Sequence, residues 1–340
     1  MNFFVRVTCM TYNQSTYITD AMNGFCMQQT NFPFVCTIMD DASTDGEQNV
    51  IKQYFRENFD VQNASVAYEK DTAYGHISYA QHKTNRNCFF AIIYLNENHY
   101  SKKKPKRLYL SEWLDTKYVA LCEGDDYWTD PLKLQKQVDF MEMNADFSLC
   151  CHRYKIYYQN SDTWETDYVD YLFQEEPDGF VFGNWDNLRR AWITKTMTLV
   201  YRNSCYDYNE LKKYSLSCDV HMNYHLLLKG KGYCFPFVGA VYRICDTGVC
   251  SALSEEMRTK RWFRLRCELL EYNIYDKDVR DSVYYGLREH MIEGDTFGEM
   301  WKYIRLCYKS YFKTENVVTI VSSARKMFGS YLKGLKKKTI

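Results

Sequence analysis

Two short apolar runs that each finish on a group of carboxylates constrain this chain more than any other feature. FVCTIMDD ends on Asp40 and Asp41, and YVALCEGDD carries Tyr118–Leu121 into Glu123, Asp125 and Asp126. Runs of this length, rich in β-branched and aromatic residues and bounded by turn residues, read as buried strands. Helical spacing surrounds them. After an opening strand, FFVRVTCM, the residues Tyr17, Ile18, Ala21, Met22 and Phe25 recur at helical intervals, with Ser15 or Thr16 as the cap. After Asp41, Thr44 and Glu47 have capping-box spacing ahead of Val50, Ile51, Tyr54 and Phe55. The order β-α-β-α specifies a parallel, doubly wound sheet, whose ligands bind beyond the carboxyl ends of the strands. Both acid groups are expected there.

Further along, SVAYEK and CFFAIIYL read as strands, SKKKPKR as a solvated basic turn and LYLSEWLDT as helical. TDPLKLQKQVDFMEMN predicts a helix with Thr129 or Asp130 as N-cap and Pro131 at its first position. WITKTMTLVYRN reads as a strand, CDVHMNYHLLLKG as a short helix and GAVYRICDTG as a strand, and from about Ser254 the pattern is mostly helical. The division expected is an α/β domain over 1–251 and a helical region over 252–340.

Composition narrows the function. Lys and Arg together number 43 and Asp and Glu 43, so the chain has no overall basic charge and nucleic acid is not an expected partner. The longest apolar run, FFAIIYL from Phe89, is too short to span a membrane, and the first residues lack a basic leader, so a cytoplasmic location is expected. The 14 Cys are scattered with no C-x-x-C pair and are expected to be reduced and mostly buried. His221 and His225 stand at zinc-binding spacing, but HMNYH lacks the Glu of a zincin motif and no third ligand is evident.

Carboxylates gathered in one crevice repel one another and need a compensating charge. Hard oxygen ligands select Mg2+ or Mn2+, and Mg2+ is commonly shared between carboxylates and substrate phosphates, so a nucleotide diphosphate is a natural occupant. Taken alone, DDASTDG is ordinary turn chemistry and EGDD an ordinary approach to a helix. Two such groups, each after a buried strand of one sheet, argue for a site.

VTCMTYNQSTYITDAM, IMDDASTDG and YVALCEGDDYWTDPLKLQKQVDFME resemble the ordered motifs of family 2 glycosyltransferases, over about Val5 to Ser251. That resemblance implies the GT-A fold, a Rossmann-like domain with a mostly parallel central sheet, here followed by a C-terminal helical extension. It implies an inverting, metal-dependent transfer from a nucleotide-diphosphate sugar, a UDP-sugar foremost, to a glycan or lipid-linked acceptor. Thr11, Tyr12 and Asn13 match the loop that lines the nucleoside and Asp41 the acid that reads the base. Glu123 takes the place of the first Asp of the D-x-D motif, Asp125 matches the principal metal ligand, and Asp126 the acid beside it. Asp219 matches the general base, although Cys218 and Val220 replace the usual Gly and Trp, and Cys245 replaces a histidine in YRICD. Trp192, Thr196 and Arg202 fall where acceptor contacts vary. Nucleotidyl transfer and a non-catalytic sugar- or nucleotide-binding role are the alternatives; TYNQSTY has no glycine for a phosphate loop of the former kind.

The segment from Val317 to Ile340 carries a separate expectation. Val317, Ile320, Val321, Ala324, Met327, Phe328, Tyr331, Leu332 and Leu335 follow helical spacing, while Arg325, Lys326, Lys333, Lys336, Lys337 and Lys338 supply six positive charges and no negative ones. Such a helix either lies on an anionic membrane, which would put the protein peripherally on the inner face of the cell membrane, or packs on the domain with a solvated lysine tail.

Overall fold

The computed structural model describes residues 2–189, 193–215, 218–245, 254–293 and 297–338. In chain order its elements are β1 (Val5–Thr11), α1 (Ile18–Cys26), β2 (Phe34–Asp40), α2 (Glu47–Asn58), β3 (Ala67–Thr72), β4 (Gly75–Gln81), β5 (Cys88–Leu95) and β6 (Tyr118–Leu121). Then come β7 (Tyr127–Trp128), α3 (Lys133–Met143), β8 (Phe147–Tyr158), β9 (Thr163–Thr166), β10 (Phe180–Phe182), α4 (Asn184–Arg189), β11 (Val200–Arg202), α5 (Tyr208–Leu211), α6 (Asp219–Leu227) and β12 (Lys231–Ile244). Four helices follow: α7 (Glu255–Tyr272), α8 (Lys277–Glu293), α9 (Phe297–Thr314) and α10 (Val317–Lys338).

The sheet runs β10-β12-β8-β11-β6-β1-β2-β5-β4-β3. Its four central strands, β6, β1, β2 and β5, are mutually parallel, with Val5 opposite both Phe34 and Tyr118 and Thr11 opposite Asp40. Strands β2 and β5 are buried along their whole length, as expected of parallel strands covered on both faces. The flanks are mixed: β4 and β3 add an antiparallel hairpin on one side, and β11 runs antiparallel between β6 and β8 on the other. The stretch WITKTMTLVYRN is therefore mostly not strand; Thr196–Thr198 form a 3-10 turn and only Val200–Arg202 pair.

Each face of the centre is packed. On one, Ile18 and Phe25 of α1 and Leu134, Val138 and Met141 of α3 cover Val7, Cys9, Cys36, Ile38 and Phe90. On the other, Val35, Met39, Phe89 and Ile93 meet Leu110 and Trp113 of the 3-10 helix Arg107–Trp113, within the stretch expected to be helical. Each such side chain taken out of water contributes roughly 1.5–3 kcal/mol. The helix starts also differ from expectation. Tyr17 and Gly46 precede α1 and α2 without a side-chain cap; α3 begins at Lys133, two residues after Pro131, while the Asp130 carboxylate accepts the Leu132 N–H at 2.9 Å as a capping residue does.

Packing groups the chain into two units, 1–181 with 192–206 and 229–246, and 182–191 with 207–228 and 247–340. The segments carrying α4, α5 and α6 thus belong with the later helices, ahead of the boundary expected at 251. Within the second unit, Phe263, Leu269, Val283, Leu287, Cys307 and Met327 form the core of α7–α10. Thirteen cysteines are free among the described residues and most are buried. No helix among the described residues is long and apolar enough to cross a membrane.

Candidate functional site

The loop after β1 is tied to the loop after β2 by side chains rather than by strand pairing. Glu47, the first residue of α2, is fully buried and accepts from the Gln14 N–H at 2.9 Å, from Ser43 Oγ at 2.8 Å and from the Thr11 hydroxyl. Asn13 adopts a left-handed backbone (φ 54°), which places its Oδ1 2.7 Å from the Thr44 N–H, while its own N–H donates to Ser43 Oγ. Asp45 accepts from the Ser15 N–H at 2.9 Å. These bonds leave Tyr12 45% exposed at the rim.

Asp41 is buried, and its carboxylate is enclosed by the segment that follows β5. The His99 and Tyr100 N–H groups donate to it at 2.7 and 3.0 Å, and Lys106 Nζ lies 2.6 Å away. The basic turn is thus more than a solvated surface: Lys102 and Lys104 clasp Glu97, and Lys106 pairs with a buried acid.

Beyond β6, the carboxylates of Glu123, Asp125 and Asp126 lie within 4.8 Å of one another, and among the described residues no other group of His, Cys, Asp and Glu is arranged to hold a metal. Gly124 allows this turn, because a Cβ there would sit 2.5 Å from both Thr11 Oγ1 and Gln14 Oε1. The acids therefore abut the loop of Thr11 and Gln14. Asp126 is buried and accepts the Arg243 N–H of β12 at 2.9 Å. Burial raises the pKa of Asp125, and burial with the charge of Asp125 raises that of Asp126 well above the carboxylate range. Three oxygen donors held together against their own repulsion fit a hard divalent cation, whose binding would relieve that repulsion.

Arg243 supplies the nearby positive charge that was not expected from the sequence. Its Nη2 pairs with Asp20 at 2.6 Å, its Nη1 donates to Gln159 at 3.1 Å, and its guanidinium lies 4.6 Å from the Tyr17 ring and 5.2 Å from that of Tyr127. Sequence spacing carries no signal for it, since Asp126 and Arg243 stand 117 positions apart.

The remaining expected residues stand on other elements. Thr196 is half-buried in the turn before β11. Arg202 is not brought to the acids: it lies opposite Tyr118, at the starting end of β6, and its donors go to the carbonyls of Phe147, Met141 and Asn144 and to Tyr118 Oη. It fastens strands together. Trp192 lies outside the described residues. Asp219 opens α6 in the second unit, half-buried, with its carboxylate accepting the Val220 N–H at 2.9 Å. Cys245 is buried after β12. The histidine pair is absorbed by packing, His225 Nε2 lying 2.8 Å from Tyr214 Oη and His221 stacking on the same ring at 4.1 Å.

Glu47 is the residue whose role the capping-box reading understated. Changing Glu47 to Ala strands three donors in a buried position and should lower unfolding stability by about 3 kcal/mol in urea titration, with Glu47→Gln intermediate. Equal stabilities would show that the two loops hold without it.

The model of glycosyl transferase family 2 matches residues 7–208, more than half of the chain, and the chain belongs to that family. It is 28% identical over 270 residues to uncharacterised proteins of Mycobacterium tuberculosis and Mycobacterium bovis, an alignment covering 76% of this chain and 63% of theirs. The chain therefore spans 63% of the length of those curated relatives. The fold is shared with S. aureus TarS 1–349, solved in complex with UDP, at a TM-score of 0.57 and 14% identity over 100% of this chain and 92% of that one. The GT-A class expected from the motifs, with a parallel sheet centre and helices after it, is the class observed.

Proposed function

We propose that the chain transfers a sugar from a nucleotide-diphosphate donor, UDP-linked foremost, to a hydroxyl of a glycan or lipid-linked acceptor, with inversion at the anomeric carbon. The observation that carries this is the three-carboxylate group after β6, set against the Thr11–Gln14 loop in a family 2 chain. Asp125 is the residue assigned to hold Mg2+ or Mn2+, with Glu123 and Asp126 beside it. A cation there would neutralise charge on the departing diphosphate. Thr11, Tyr12 and Asn13 line the nucleoside, and Asp41 shapes the base pocket by fixing the His99–Tyr100 backbone and Lys106 beside it. Asp219 takes the proton of the attacking hydroxyl, and Thr196 is the described residue assigned to the acceptor side.

The test uses UDP because TarS, which shares the fold, is solved with it. UDP with Mn2+ should raise the melting temperature, since a ligand bound only by the folded state stabilises it, and UDP without metal should raise it less. Asp219→Asn should keep that shift and lower UDP release from UDP-sugars by about 10^2 to 10^4-fold. No shift with UDP, GDP or other nucleoside diphosphates would sink the transferase reading. An unchanged rate in Asp219→Asn would remove only the base.

A further inference from the structure

Helix α10 presents three different faces, and one of them is buried against the described residues of α8 and α9. Ser323, Met327, Ser330 and Gly334 are buried, with the Ser323 carbonyl accepting from Tyr284 Oη at 2.9 Å and Ser330 Oγ accepting from Arg288 Nε at 3.0 Å. Ile320 and Tyr331 pack partly against the same core. A helix of a folded domain needs no second apolar face. This one has it: Val317, Val321, Ala324, Phe328, Leu332 and Leu335 are all exposed, Val317 at 73% and Phe328 at 54%. At about 100° per residue these six fall within a sector of about 80°, in a row about 27 Å long. Arg325, Lys326, Lys333 and Lys336, also exposed, occupy the sector that adjoins it on the side away from the core.

One side of the helix is therefore packed as expected, and the apolar and basic sides are open to solvent. Charge decides what covers the open side. Residues 297–340 hold ten Lys and Arg and two Asp and Glu, so of the 43 and 43 in the chain the first 296 residues keep 33 and 41. A neutral total conceals a segment of net charge +8 joined to a body of net charge −8. On the neighbouring helix α9, Trp301 and Phe312 are 60% and 72% exposed, with Arg305 exposed between them. A second copy of this chain would set basic row against basic row. An anionic lipid surface accepts both features, taking the apolar row into the acyl boundary and the basic row among its headgroups.

We infer that the exposed Val317–Leu335 face of α10, with its basic flank, is a docking surface for an anionic lipid bilayer, on which the helix lies without crossing. The inference does not depend on the donor site, and its readout requires no turnover. The full chain should float with phosphatidylcholine vesicles containing 30% phosphatidylglycerol at least tenfold more than with phosphatidylcholine alone, and 0.5 M NaCl should reduce that binding severalfold by screening. Phe328→Ser with Leu332→Ser, and separately Arg325→Glu with Lys333→Glu and Lys336→Glu, should each remove at least nine-tenths of it. All five side chains are exposed, so melting temperatures should hold. Equal binding to neutral and anionic vesicles would overturn the inference, as would variants that bind like the parent. So would a chain that binds neither vesicle but sediments as a dimer dissociated by Phe328→Ser with Leu332→Ser, which would assign the face to a second copy.

Discussion

Asp125→Asn should lower sugar transfer by about three orders of magnitude while leaving the protein as stable as before or more so. The substitution keeps shape and removes one charge from a turn where three carboxylates lie within 4.8 Å. Burial holds the pKa of Asp125 above the ordinary range, so the charge is one the folded state does not favour. Removing it relieves its repulsion of Asp126, which is buried and raised further. Stability and activity are thus expected to move in opposite directions, the signature of a functional charge. A lost cation ligand worth about 4 kcal/mol of barrier corresponds to about a thousandfold in rate. The more exposed Glu123, changed to Gln, should have a smaller effect. UDP release measured at saturating Mn2+, with urea unfolding on the same samples, checks both halves. An Asp125→Asn protein keeping a third of the parent rate would remove this residue from the metal role.

The parallel centre of the sheet and the placing of the acids were legible because burial on both faces leaves an unmistakable trace. Phe34–Asp40 and Cys88–Leu95 are apolar almost throughout, and the chain can leave such a strand toward ligand only at its end. The support around the acids was not legible, because it is made between residues far apart in sequence. Thr11 meets Glu47 36 positions on, Asp41 meets Lys106 65 positions on, and Asp126 is held by Arg243 from the other end of the sheet domain. Local rules assigned Glu47 to a capping box and Lys106 to a solvated turn. Arg202 was misplaced for a related reason. A strand rule gives the side that a residue faces, but not which end of the sheet it occupies, and with only Val200–Arg202 pairing, Arg202 fell at the end away from the acids.

Lys133→Met should raise stability near neutral pH and lose that advantage as the solution becomes alkaline. Lys133, in the first turn of α3, is fully buried, with Nζ 4.2 Å from the Trp128 ring centroid and 2.8 Å from the neutral acceptor Gln137 Oε1. Burial pulls its pKa down to about 7, against roughly 10.4 for the unfolded chain. Between these values the unfolded chain holds a proton that the folded one does not. Stability therefore rises with pH across that window, by up to about 1.4 kcal/mol per unit, and is lowest where both states are protonated, below about 7. At pH 7 the charged lysine thus costs about 4 kcal/mol relative to a neutral one. Met keeps the aliphatic length and removes that cost, but leaves Gln137 Oε1 without its donor, a loss of about 1–2 kcal/mol. The expected outcome is a gain of about 2 kcal/mol at pH 7 that shrinks with pH and reverses near pH 10. Urea midpoints of parent and variant at pH 7, 8.5 and 10 check it, and parallel curves would show that Lys133 does not titrate in this window. Trp128, beneath the lysine, closes the turn that begins with Glu123 and donates its Nε1–H to the Met197 carbonyl at 2.8 Å. A variant that is more stable yet transfers sugar more slowly would therefore identify the Lys133–Trp128 contact as a support of the acidic turn, retained against its cost in stability.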